Sequence, residues 1–456
     1  MRHDAQNEMT KENRAPISDS TASAVEPLLP VTIPHTGFRL ARGVRAGRWL
    51  FASGQAATDY VNGVAPDVVR THHPLDGGSI YKRESRRIYA NVKEVLAAAG
   101  AGVGDVVRLD QYYTTERAMH PYHEVRHEIF GSKIPPSTSN LHQRFSRTDQ
   151  SIEIQVMAVV PGSGTTVKHE SFRPSYDISN VSGYSPALSA GDFRFVPGQT
   201  AEALREGEGP VDPSARHPRA LWRQWPIKLE TDFIVKRKLM ASLEAAGAAL
   251  DHVVKAQVYL SHRDDVPGFN EVWLSHFKGN PPATTIIATA NPGFFIHDLR
   301  IEINTISLAA NGRTKREAIV GPEPPLFDGW VSAIKCDDLL FLSGLMAVEN
   351  GRLIAEATVD DRQPFYGIPV KAELRSIIRQ AEAICRAAGT SLRNTVRIQQ
   401  FHRDLAELPA TLEVWDEALA HAPLPLSPVE VPWLPVPGGR IQVDLWVYIP
   451  KLAANR

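Results

Sequence analysis

Hydrophobic residues follow the same order of spacings three times along the chain. In each copy a segment with helical spacing closes on Ala-Ala-Gly, a β-branched segment follows, and a second helix is predicted around Glu-Val. The three copies are Ala98–Arg126, Ala245–Trp273 and Ala387–Trp415. Their closing glycines, Gly100, Gly247 and Gly389, lie 147 and 142 residues apart. Because solenoid repeats run at roughly 20–50 residues, this period indicates tandem whole domains.

Each copy lies within a longer series of strand, helix, strand, helix and strand. The elements predicted in the first repeat are a strand Gly47–Gln55, a helix Glu84–Ala99, a strand Val106–Tyr113, a helix Pro121–Phe130 and a closing strand Ile152–Val160. In the closing strand, apolar Ile152 and Ile154 flank the acidic Glu153. This period of two is expected of a strand with two unlike faces.

The second and third repeats return to this order. The second is predicted to contain strands Gly191–Gln199, Val253–Leu260 and Ile301–Ile306 and a helix Phe233–Ala246. The third is predicted to contain strands Asp337–Leu345, Thr395–Phe401 and Ile441–Tyr448 and helices Leu374–Ala388 and Thr411–Ala420. This order predicts α+β domains, each a mixed sheet with two helices on one face. Three such sheets can bury their uncovered faces against one another.

The length of 456 residues agrees with three domains of about 150 residues each. We predict domains over residues 29–163, 167–310 and 318–452, separated by short segments of small or polar residues. Residues 1–28 are polar and show almost no apolar periodicity, so they are predicted to be a disordered leader.

Composition and charge exclude several classes of protein. Fifty basic and 51 acidic residues leave a formal charge of −1, whereas a nucleic-acid-binding protein normally shows a basic excess. Cys336 and Cys385 are the two cysteines, so neither a disulfide framework nor a cysteine metal site is predicted. No apolar run approaches the roughly 18 residues of a membrane span, and the N-terminus lacks a signal-peptide pattern. We therefore expect a cytoplasmic protein that binds neither nucleic acid nor membranes.

Short motifs at matching places resemble the reactive-intermediate deaminase family, RidA, also called YjgF. The first strands end in SGQ (Ser53–Gln55), PGQ (Pro197–Gln199) and SGL (Ser343–Leu345). The closing strands begin with IEI (Ile152–Ile154), IEI (Ile301–Ile303) and IQV (Ile441–Val443). Together with the Ala-Ala-Gly helix ends, the resemblance covers nearly the whole chain after the leader.

The resemblance implies a chorismate-mutase-like fold for each domain. RidA proteins form homotrimers with ligand clefts between adjacent subunits, so this chain is expected to form an intramolecular pseudo-trimer with three unequal clefts. The smallest unit is expected to be one chain or a dimer of pseudo-trimers. Deaminases of the family hydrolyse enamines or imines to a keto acid and ammonia. The implied function is therefore hydrolysis of a C–N bond in a small molecule, without a cofactor or metal.

The family's cleft positions can be carried over one by one. The implied catalytic residues are Glu302, Glu153, Tyr184, Asn270 and His123. The implied substrate-binding residues are Ser53, Gln55, Gln199, Thr284, Ser139 and Trp330. A carboxylate in a cleft of limited hydration can transfer protons near neutral pH, and the phenol and amide groups can orient water. Because Tyr184, Asn270 and Glu302 belong to one repeat, they are the favoured constellation.

One family feature is missing. The arginine that grips the substrate carboxylate should follow Pro-Ala or Pro-Pro, and the sequence places Ser137, Thr284 and Pro425 there. A hydroxyl cannot replace the charge of a guanidinium. Weak activity toward 2-aminoacrylate-type imines is therefore expected, and it stays open whether Arg39, Arg144 or Arg263 compensates.

Other interpretations remain open from the residues alone. Glu302 can be the polar face of a strand and Asn270 a helix cap. His120, His123 and His127 share a helical face and offer a weak metal pattern. A cyclic-amide ring-opening hydrolase is an alternative, since that group also has threefold repeats. It uses serine–lysine pairs, however, and the equivalent strand positions are Arg108, Lys255 and Arg397. A non-catalytic metabolite-binding module is the third alternative.

Overall fold

A computed structural model describes residues 24–69, 78–147, 149–168, 183–205, 207–216, 225–290, 293–359, 362 and 367–451. The first domain contains strands β1 (Glu26–Thr32), β2 (Arg39–Ala46), β3 (Trp49–Ala56), β4 (Val106–Tyr113), β5 (Ser137–Leu141), β6 (Arg144–Phe145) and β7 (Ile152–Val159). Its helices are α1 (Ile80–Ala98) and α2 (Met119–Phe130). Strand β1 begins inside the segment 1–28 that the sequence predicts to be a leader, and residues 1–23 lie outside the described residues.

The second domain contains strands β8 (Val167–Lys168), β9 (Leu188–Ala190), β10 (Phe193–Thr200), β11 (Val253–Leu260), β12 (Ala283–Ala288) and β13 (Ile301–Leu308). Its helices are α3 (Pro226–Phe233), α4 (Met240–Ala245) and α5 (Val266–Phe277), and a π-helical turn, Ile234–Leu239, joins α3 to α4. The first helix of this repeat thus begins earlier than predicted from the sequence, at Pro226, because a proline is well suited to a first helical turn.

The third domain contains strands β14 (Arg316–Ile319), β15 (Ala333–Cys336), β16 (Leu339–Leu342), β17 (Val348–Glu349), β18 (Arg352–Leu353), β19 (Thr395–His402), β20 (Leu426–Glu430) and β21 (Ile441–Tyr448). Its helices are α6 (Pro369–Ala387) and α7 (Leu408–Ala418). The repeat is therefore visible in the structure, with β4, β11 and β19 as one set of equivalent strands and β7, β13 and β21 as another.

Each domain is built on a mixed sheet. The strand orders are β1-β2-β3-β7-β4-β5, β12-β11-β13-β10-β9-β8 and β14-β15-β16-β21-β19-β20-β6. The pairs β4–β5, β11–β12 and β19–β20 are parallel, whereas the neighbouring pairs are antiparallel. Strand β6 of the first domain completes the third sheet by pairing with β20. The α+β class predicted from the sequence is confirmed.

The sheet faces that turn away from the helices meet in a shared apolar cluster. Trp49 of β3 lies edge-on to Phe193 of β10, with ring centroids 5.2 Å apart. Trp446 of β21 packs edge-on against Phe341 at 5.0 Å and against Phe51 of the first domain at 6.2 Å. Aromatic pairs of this geometry add to the stabilisation that burial supplies. The three sheets thus bury one another, and the pseudo-trimer is intramolecular.

A buried ring of hydrogen bonds also joins the three domains. Arg108 donates to Gln257 of the second domain, and Gln257 donates to Gln399 of the third at 3.1 Å. Arg397 closes the ring by donating to Gln155 of the first domain at 2.8 Å. Because each link crosses a domain boundary, the ring fixes the register of the three sheets against one another.

The three cations at the equivalent strand positions pair with two buried carboxylates. Asp110 lies 2.9 Å from Arg108 and 3.0 Å from Arg397, while Lys255 lies 2.9 Å from Asp444. Burial lowers the pKa of Lys255 to about 8. The lysine that a serine–lysine hydrolase would need is therefore held in an ion pair.

Three equivalent helices each bury a glutamate that binds the chain just before the closing strand. Glu84 accepts a hydrogen bond from Ser151 N (3.1 Å), Glu230 from Arg300 N (2.9 Å) and Glu373 from Arg440 N (3.0 Å). Burial raises the pKa values of these glutamates to about 7, 8 and 7. Each anchors a helix to the start of the closing strand of its domain.

These glutamates predict that stability falls as the pH rises from 6.5 to 8. In this window the unfolded glutamates, with pKa values near 4.3, are already ionised, whereas the folded ones still hold protons, so the folded state loses stability with rising pH. Buried His142 and His402, whose pKa values are lowered by burial to about 3 and 4, act below this window. Thermal unfolding midpoints across the window measure the slope. Glu373→Gln should flatten it and Glu417→Gln, an exposed change on α7, should not; an unchanged slope in Glu373→Gln would count against this origin.

Candidate functional site

Equivalent sites lie at the three domain boundaries, and each is built from two domains. Two of them are cavities: cleft A lies between the first and second domains around Glu302, and cleft B between the first and third around Glu153. The third boundary, between the second and third domains, is called cleft C after its matching position; there Gln442 lies beside Gly344 and Trp330 contacts Asn270. Each cleft takes its closing-strand residue from one domain and its helix and parallel-strand residues from the other.

A bulge in β3 of the first domain and in β10 of the second makes room for the closing-strand side chain. The pairing register shifts between Ala52 and Gln55 in β3 and between Val196 and Gln199 in β10. A Cβ atom added to the glycine of the bulge would collide with the closing-strand side chain opposite. The glycines and their neighbours are Gly54 with Glu153, Gly198 with Glu302 and Gly344 with Gln442. The Ser-Gly-Gln and Pro-Gly-Gln motifs are thus explained by steric necessity at their central residue.

Cleft A is a cavity of about 310 Å³ with one polar and one apolar wall. The first domain supplies Met119, His123, Arg126, Ser137 and Ser139. The second domain supplies Tyr184, Gly198, Thr200, Glu202, Phe294, Phe295, Ile296, Leu299 and Glu302. A concave, largely apolar pocket with a few convergent polar groups is typical of small-molecule sites.

The environment of Glu302 favours the protonated form of its carboxyl group. Burial raises its pKa well above the ordinary value, and the neighbouring carboxyl groups of Glu202 and Asp110 raise it further. The backbone N–H of Ser139 donates a hydrogen bond to the carboxyl group and opposes that rise. The carboxyl group of Glu302, from the second domain, therefore contacts β5 of the first domain on one side and the Gly198 bulge of its own domain on the other.

Glu202 is a second acid in cleft A that the sequence did not single out. It lines the same cavity as Glu302, and burial raises its pKa as well, with Lys238 opposing the rise. Two carboxyl groups in one cleft disfavour double ionisation, which keeps a proton available between them. Glu202 lies three residues after Pro-Gly-Gln, and no known motif spacing would have identified it as a cleft residue.

Arg126 brings a positive charge to cleft A from helix α2. Its Nη1 donates to Ser137 Oγ at 3.1 Å and to Gln111 Oε1 at 3.0 Å. Ser137 stands where the deaminase arginine is expected, so a guanidinium reaches this position from a different element. The other two repeats carry Trp273 and Trp415 at the matching place, and all three side chains are fully buried.

His123 and Tyr184 complete the polar wall of cleft A. Burial, with a further contribution from Arg126, lowers the pKa of His123 to about 2, so its imidazole is neutral. Its Nε2 is buried and has no hydrogen-bond partner among the described residues. Tyr184 is placed by a parallel bridge to Ile134 of the first domain, where Ser185 Oγ also donates to Ile134 O at 2.8 Å.

Cleft B contains Glu153 together with Ser53 and Gln55. Burial raises the pKa of Glu153 to about 8. Ser53 Oγ donates to Ala41 O at 2.9 Å, and Gln55 Nε2 donates to Arg42 O at 2.8 Å, so both side chains also tie β3 to β2. His123, the other implied catalytic residue of the first repeat, does not join Glu153 and lies in cleft A.

Cleft C contains the remaining sequence-predicted residues. Trp330 Nε1 donates to Asn270 Oδ1 at 3.0 Å, and the backbone N–H of Thr284 donates to Ser343 Oγ of the third domain at 3.1 Å. Asn270 is therefore separated from Tyr184 and Glu302, although all three belong to one repeat. The grouping by repeat was wrong because every cleft combines two domains.

The register of the parallel strands corrects one further position. Ile398 pairs with Leu426 as Leu109 pairs with Ser137, so the third equivalent of the missing arginine is Leu426 and not Pro425. Gln199 lies buried in β10 opposite Ile303, while its neighbours Gly198 and Thr200 line cleft A. Position 137 and its equivalents thus hold no cation.

The three arginines left open by the sequence lie elsewhere. Arg39 and Arg263 are exposed, and Arg144 donates to Glu430 at 2.7 Å while half exposed. The histidines of helix α2 also diverge, since His120 is 78% exposed and His123 faces the cavity. Within the described ranges no group of three His, Cys, Asp or Glu side chains is arranged to hold a metal ion.

The fold and the clefts define a protein of three tandem α+β domains that carries small-molecule pockets at its domain boundaries. The family model described as Endoribonuclease L-PSP matches residues 34–160, 231–309 and 322–449, which is more than half of the chain. The chain therefore belongs to this family, and the resemblance to RidA/YjgF proteins with repeated domains is confirmed.

The similar proteins differ in how much of this chain they cover: the curated relatives match a single repeat, whereas one solved structure spans most of the chain. The RutC family protein PH0854 of Pyrococcus horikoshii is 31% identical over 127 residues, covering 28% of this chain and 87% of that protein. The RutC family protein SSO3206 of Saccharolobus solfataricus is 32% identical over the same length and coverage. A chorismatase crystal structure is 14% identical with a TM-score of 0.42, covering 75% of this chain and 93% of that chain. No helix in the described part of the chain is long and apolar enough to cross a membrane.

Proposed function

We propose that cleft A hydrolyses a C–N bond of a small enamine or imine. The observation that carries this proposal is the buried carboxyl group of Glu302, which faces a 310 Å³ cavity alongside Tyr184 and a neutral His123. A carboxylic acid whose pKa is raised by burial can act as a general acid. The chain would act in the cytoplasm, as a single pseudo-trimer or a pair of them.

The reaction consumes one water molecule. The water oxygen bonds to the imine carbon, and both water protons are transferred to the nitrogen. The C–N bond breaks, and the products are ammonia and a carbonyl compound. Glu302 protonates the nitrogen as water attacks, and its carboxylate then takes a proton from the attacking oxygen. A second transfer moves the remaining hydroxyl proton to the nitrogen as the C–N bond breaks. An enamine first takes a proton on carbon and loses one from nitrogen. Tyr184 and His123 are placed to orient the water or the substrate nitrogen by hydrogen bonding.

Arg126 is proposed to bind an anionic group of the substrate. Its guanidinium lies beside Ser137 on the polar wall, and charge-assisted hydrogen bonds to a guanidinium are stronger than neutral ones. Because Arg126 comes from α2 and not from β5, it would hold a carboxylate in a different place from the arginine that the family resemblance implies. The apolar wall of Phe294, Phe295 and Leu299 favours a substrate with a hydrocarbon body.

Weak activity toward the imine of 2-aminoacrylate is therefore expected. Loss of a charge-assisted hydrogen bond at position 137 typically costs about 1.5–3 kcal/mol, or roughly one to two decades in kcat/KM. The measurement compares kcat/KM for this imine with that for imines of larger, apolar keto acids. Turnover of the 2-aminoacrylate imine at the rate of an ordinary deaminase would show that Arg126 has taken over the role completely.

The proposed function is tested by product analysis. Purified protein is incubated with enamines, imines and cyclic amides, and ammonia is assayed together with the carbonyl product by NMR. Equal amounts of ammonia and ketone from an enamine or imine support the proposal. Ring opening of a cyclic amide without ammonia would favour the cyclic-amide hydrolase, and binding without any product would favour a metabolite-binding module.

A further inference from the structure

Glu202 lies on the side of the chain that faces cleft A. Gly198, Thr200 and Glu202 line this cavity at alternate positions, as residues on one side of an extended chain do. An isolated antiparallel bridge joins Glu202 to Val211, so the backbone is held at this point. The carboxyl group of Glu202 therefore shares the cavity with that of Glu302.

Glu202 also lines a second cavity, so it stands in the wall between the two. The second cavity has a volume of about 450 Å³, and its described lining residues all belong to the second domain. Its other ionisable side chains are Arg205, Glu208, Asp212, Arg237 and Lys238. Arg205 and Arg237 are exposed to solvent, whereas Lys238 is 5% exposed. Because solvent screens exposed charges, Lys238 is the cation that acts most strongly on Glu202.

The helix that carries Lys238 has one residue more than its counterparts. Each of these helices lies between a buried glutamate and a closing glycine, which are 16 residues apart in the first and third repeats and 17 in the second. The pairs are Glu84 with Gly100, Glu230 with Gly247 and Glu373 with Gly389. The π-helical turn Ile234–Leu239 accommodates the additional residue and carries Lys238. Turns of this kind occur often at functional sites.

The other two repeats have neutral side chains at both of these positions. Counted back from the closing glycine, Lys238 takes the place of Asn91 and Gln380, and counted from the strand motif, Glu202 takes the place of Thr58 and Val348. Asn91 Nδ2 donates to Thr58 O at 3.0 Å. Gln380 Nε2 likewise donates to Met346 O at 3.4 Å. The helix position therefore faces the chain that follows the first strand, and the second repeat places a lysine and a glutamate at these facing positions.

The surroundings of Glu202 and Glu302 separate their pKa values. Burial raises the pKa of both carboxyl groups, but Lys238 opposes the rise at Glu202. The negative charges of Glu202 and Asp110 in turn raise the pKa of Glu302 further. The other titratable groups that line cleft A are His123, Arg126 and Tyr184. Glu202 is therefore favoured as the ionised member of the pair and Glu302 as the protonated member, which is the arrangement of a base and an acid in one site.

We propose that Glu202 is the base that completes an acid–base pair with Glu302 in cleft A, and that Lys238 positions it. This role rests on the hydrolysis proposed above, in which Glu302 recovers its own proton when water adds. The carboxylate of Glu202 then takes the remaining hydroxyl proton as the C=O bond forms, and it gives this proton to the nitrogen. The C–N bond breaks with its electron pair on nitrogen, so ammonia leaves and Glu202 is ionised again.

Glu202→Gln tests the base. The variant should lower kcat by about 10²-fold, because the amide cannot accept the hydroxyl proton. The base must be ionised, so wild-type kcat/KM should fall as the pH is lowered through the pKa of Glu202, and this acid-side fall should be missing from Glu202→Gln. The alkaline fall that belongs to Glu302 should remain. Thermal unfolding confirms that the variant is folded.

Lys238→Met tests the positioning residue, since methionine keeps much of the length of the side chain and removes its charge. Without the cation the pKa of Glu202 rises, so the acid-side fall should move to higher pH and kcat/KM should be about tenfold lower on that side. Lys238→Arg should keep the wild-type profile. The matched control is Lys236→Met, an exposed residue of the same π-helical turn that pairs with Asp232 at 2.9 Å, and it should change nothing.

The ionisation of Glu202 is also measured without turnover, by ¹³C NMR of protein labelled at the glutamate carboxyl carbons. The Glu202 signal is identified by its loss in Glu202→Gln, and its titration should move to higher pH in Lys238→Met. An unchanged titration there would overturn the role of Lys238. Ammonia release with full kcat and an unchanged acid-side fall in Glu202→Gln would overturn the role of Glu202 and leave the reaction of Glu302 standing. Absence of ammonia release from the wild type would defeat the reaction itself, and with it the role of Glu202 as its base.

Discussion

Replacing Glu302 by Gln is expected to lower turnover by about 10²–10⁴-fold, which is the usual contribution of general acid–base catalysis. The amide keeps the shape of the side chain and its fit against Gly198, but it cannot donate and recover the catalytic proton. The protein should fold and bind substrate as before. Steady-state kinetics on the substrate identified by ammonia release measure the effect, and thermal unfolding confirms the fold.

Gln442 supplies the matched control for that variant. It lies in the third closing strand at the position of Glu302, is 1% exposed, and already carries an amide. Gln442→Ala should leave turnover nearly intact, since cleft C has no carboxyl group at this position. If Glu302→Gln and Glu153→Gln both keep full turnover, the carboxyl groups only line their strands, and other groups must carry the reaction.

Removing the carboxylate of Asp110 should destabilise the protein by about 3–5 kcal/mol, the usual effect of breaking a buried ion pair. Asp110 is 2% exposed and pairs with both Arg108 and Arg397. Asp110→Ala would leave these two guanidinium groups buried without their shared carboxylate. Urea-induced unfolding of the wild type and the variant measures the difference.

The control for Asp110 is an exposed pair. Glu128→Ala removes the partner of Arg86, which lies 3.0 Å away on the surface with both side chains about half exposed, and little change is expected there. Asp110→Leu combined with Arg397→Met should recover part of the lost stability, because an apolar pair leaves fewer uncompensated charges. Equal stability of Asp110→Ala and the wild type would show that the ring of hydrogen bonds alone holds the domains in register.

The sequence predicts the central strands well because their signals are local and repeated. The predicted bounds Val106–Tyr113, Val253–Leu260 and Ile441–Tyr448 coincide with β4, β11 and β21. Each is a β-branched segment preceded by a turn or a helix-closing glycine, so its start is marked. The helices begin earlier than predicted, at Ile80 and Pro369, because their first turns lack the apolar spacing that marks the later turns.

The clefts could not be assembled from the sequence in the same way. Sequence order groups Tyr184, Asn270 and Glu302 in one repeat, whereas packing of the domains sends Asn270 to Trp330 in cleft C. Which domain faces which depends on the contacts among the three sheets, and no spacing along the chain encodes these. Glu302 and Glu153 nevertheless line cavities between domains, because the Ile-Glu-Ile strand fixes which side of the sheet the acid faces.

The sequence does contain a signal that could have identified Arg126 as a cleft residue. The three copies of the repeated stretch end on Arg126, Trp273 and Trp415, and an arginine where the other copies bury a tryptophan indicates a special role. Trp273 Nε1 donates to Thr284 Oγ1 at 3.3 Å, as Arg126 donates to Ser137 Oγ. The substitution therefore keeps the contact and adds a positive charge in cleft A.

The pH dependence of kcat/KM tests the central claim most directly, since it reports the protonation state of Glu302 in the free enzyme. The raised pKa of Glu302 favours its acid form, so activity should fall as the pH rises through that pKa. The profile is measured on an imine substrate after subtraction of the uncatalysed rate, for the wild type and for Glu302→Gln. An alkaline fall in the wild type that is missing from the residual activity of Glu302→Gln is the predicted result. A wild-type profile without that fall, or the same fall in both proteins, would contradict a reaction driven by Glu302 in cleft A.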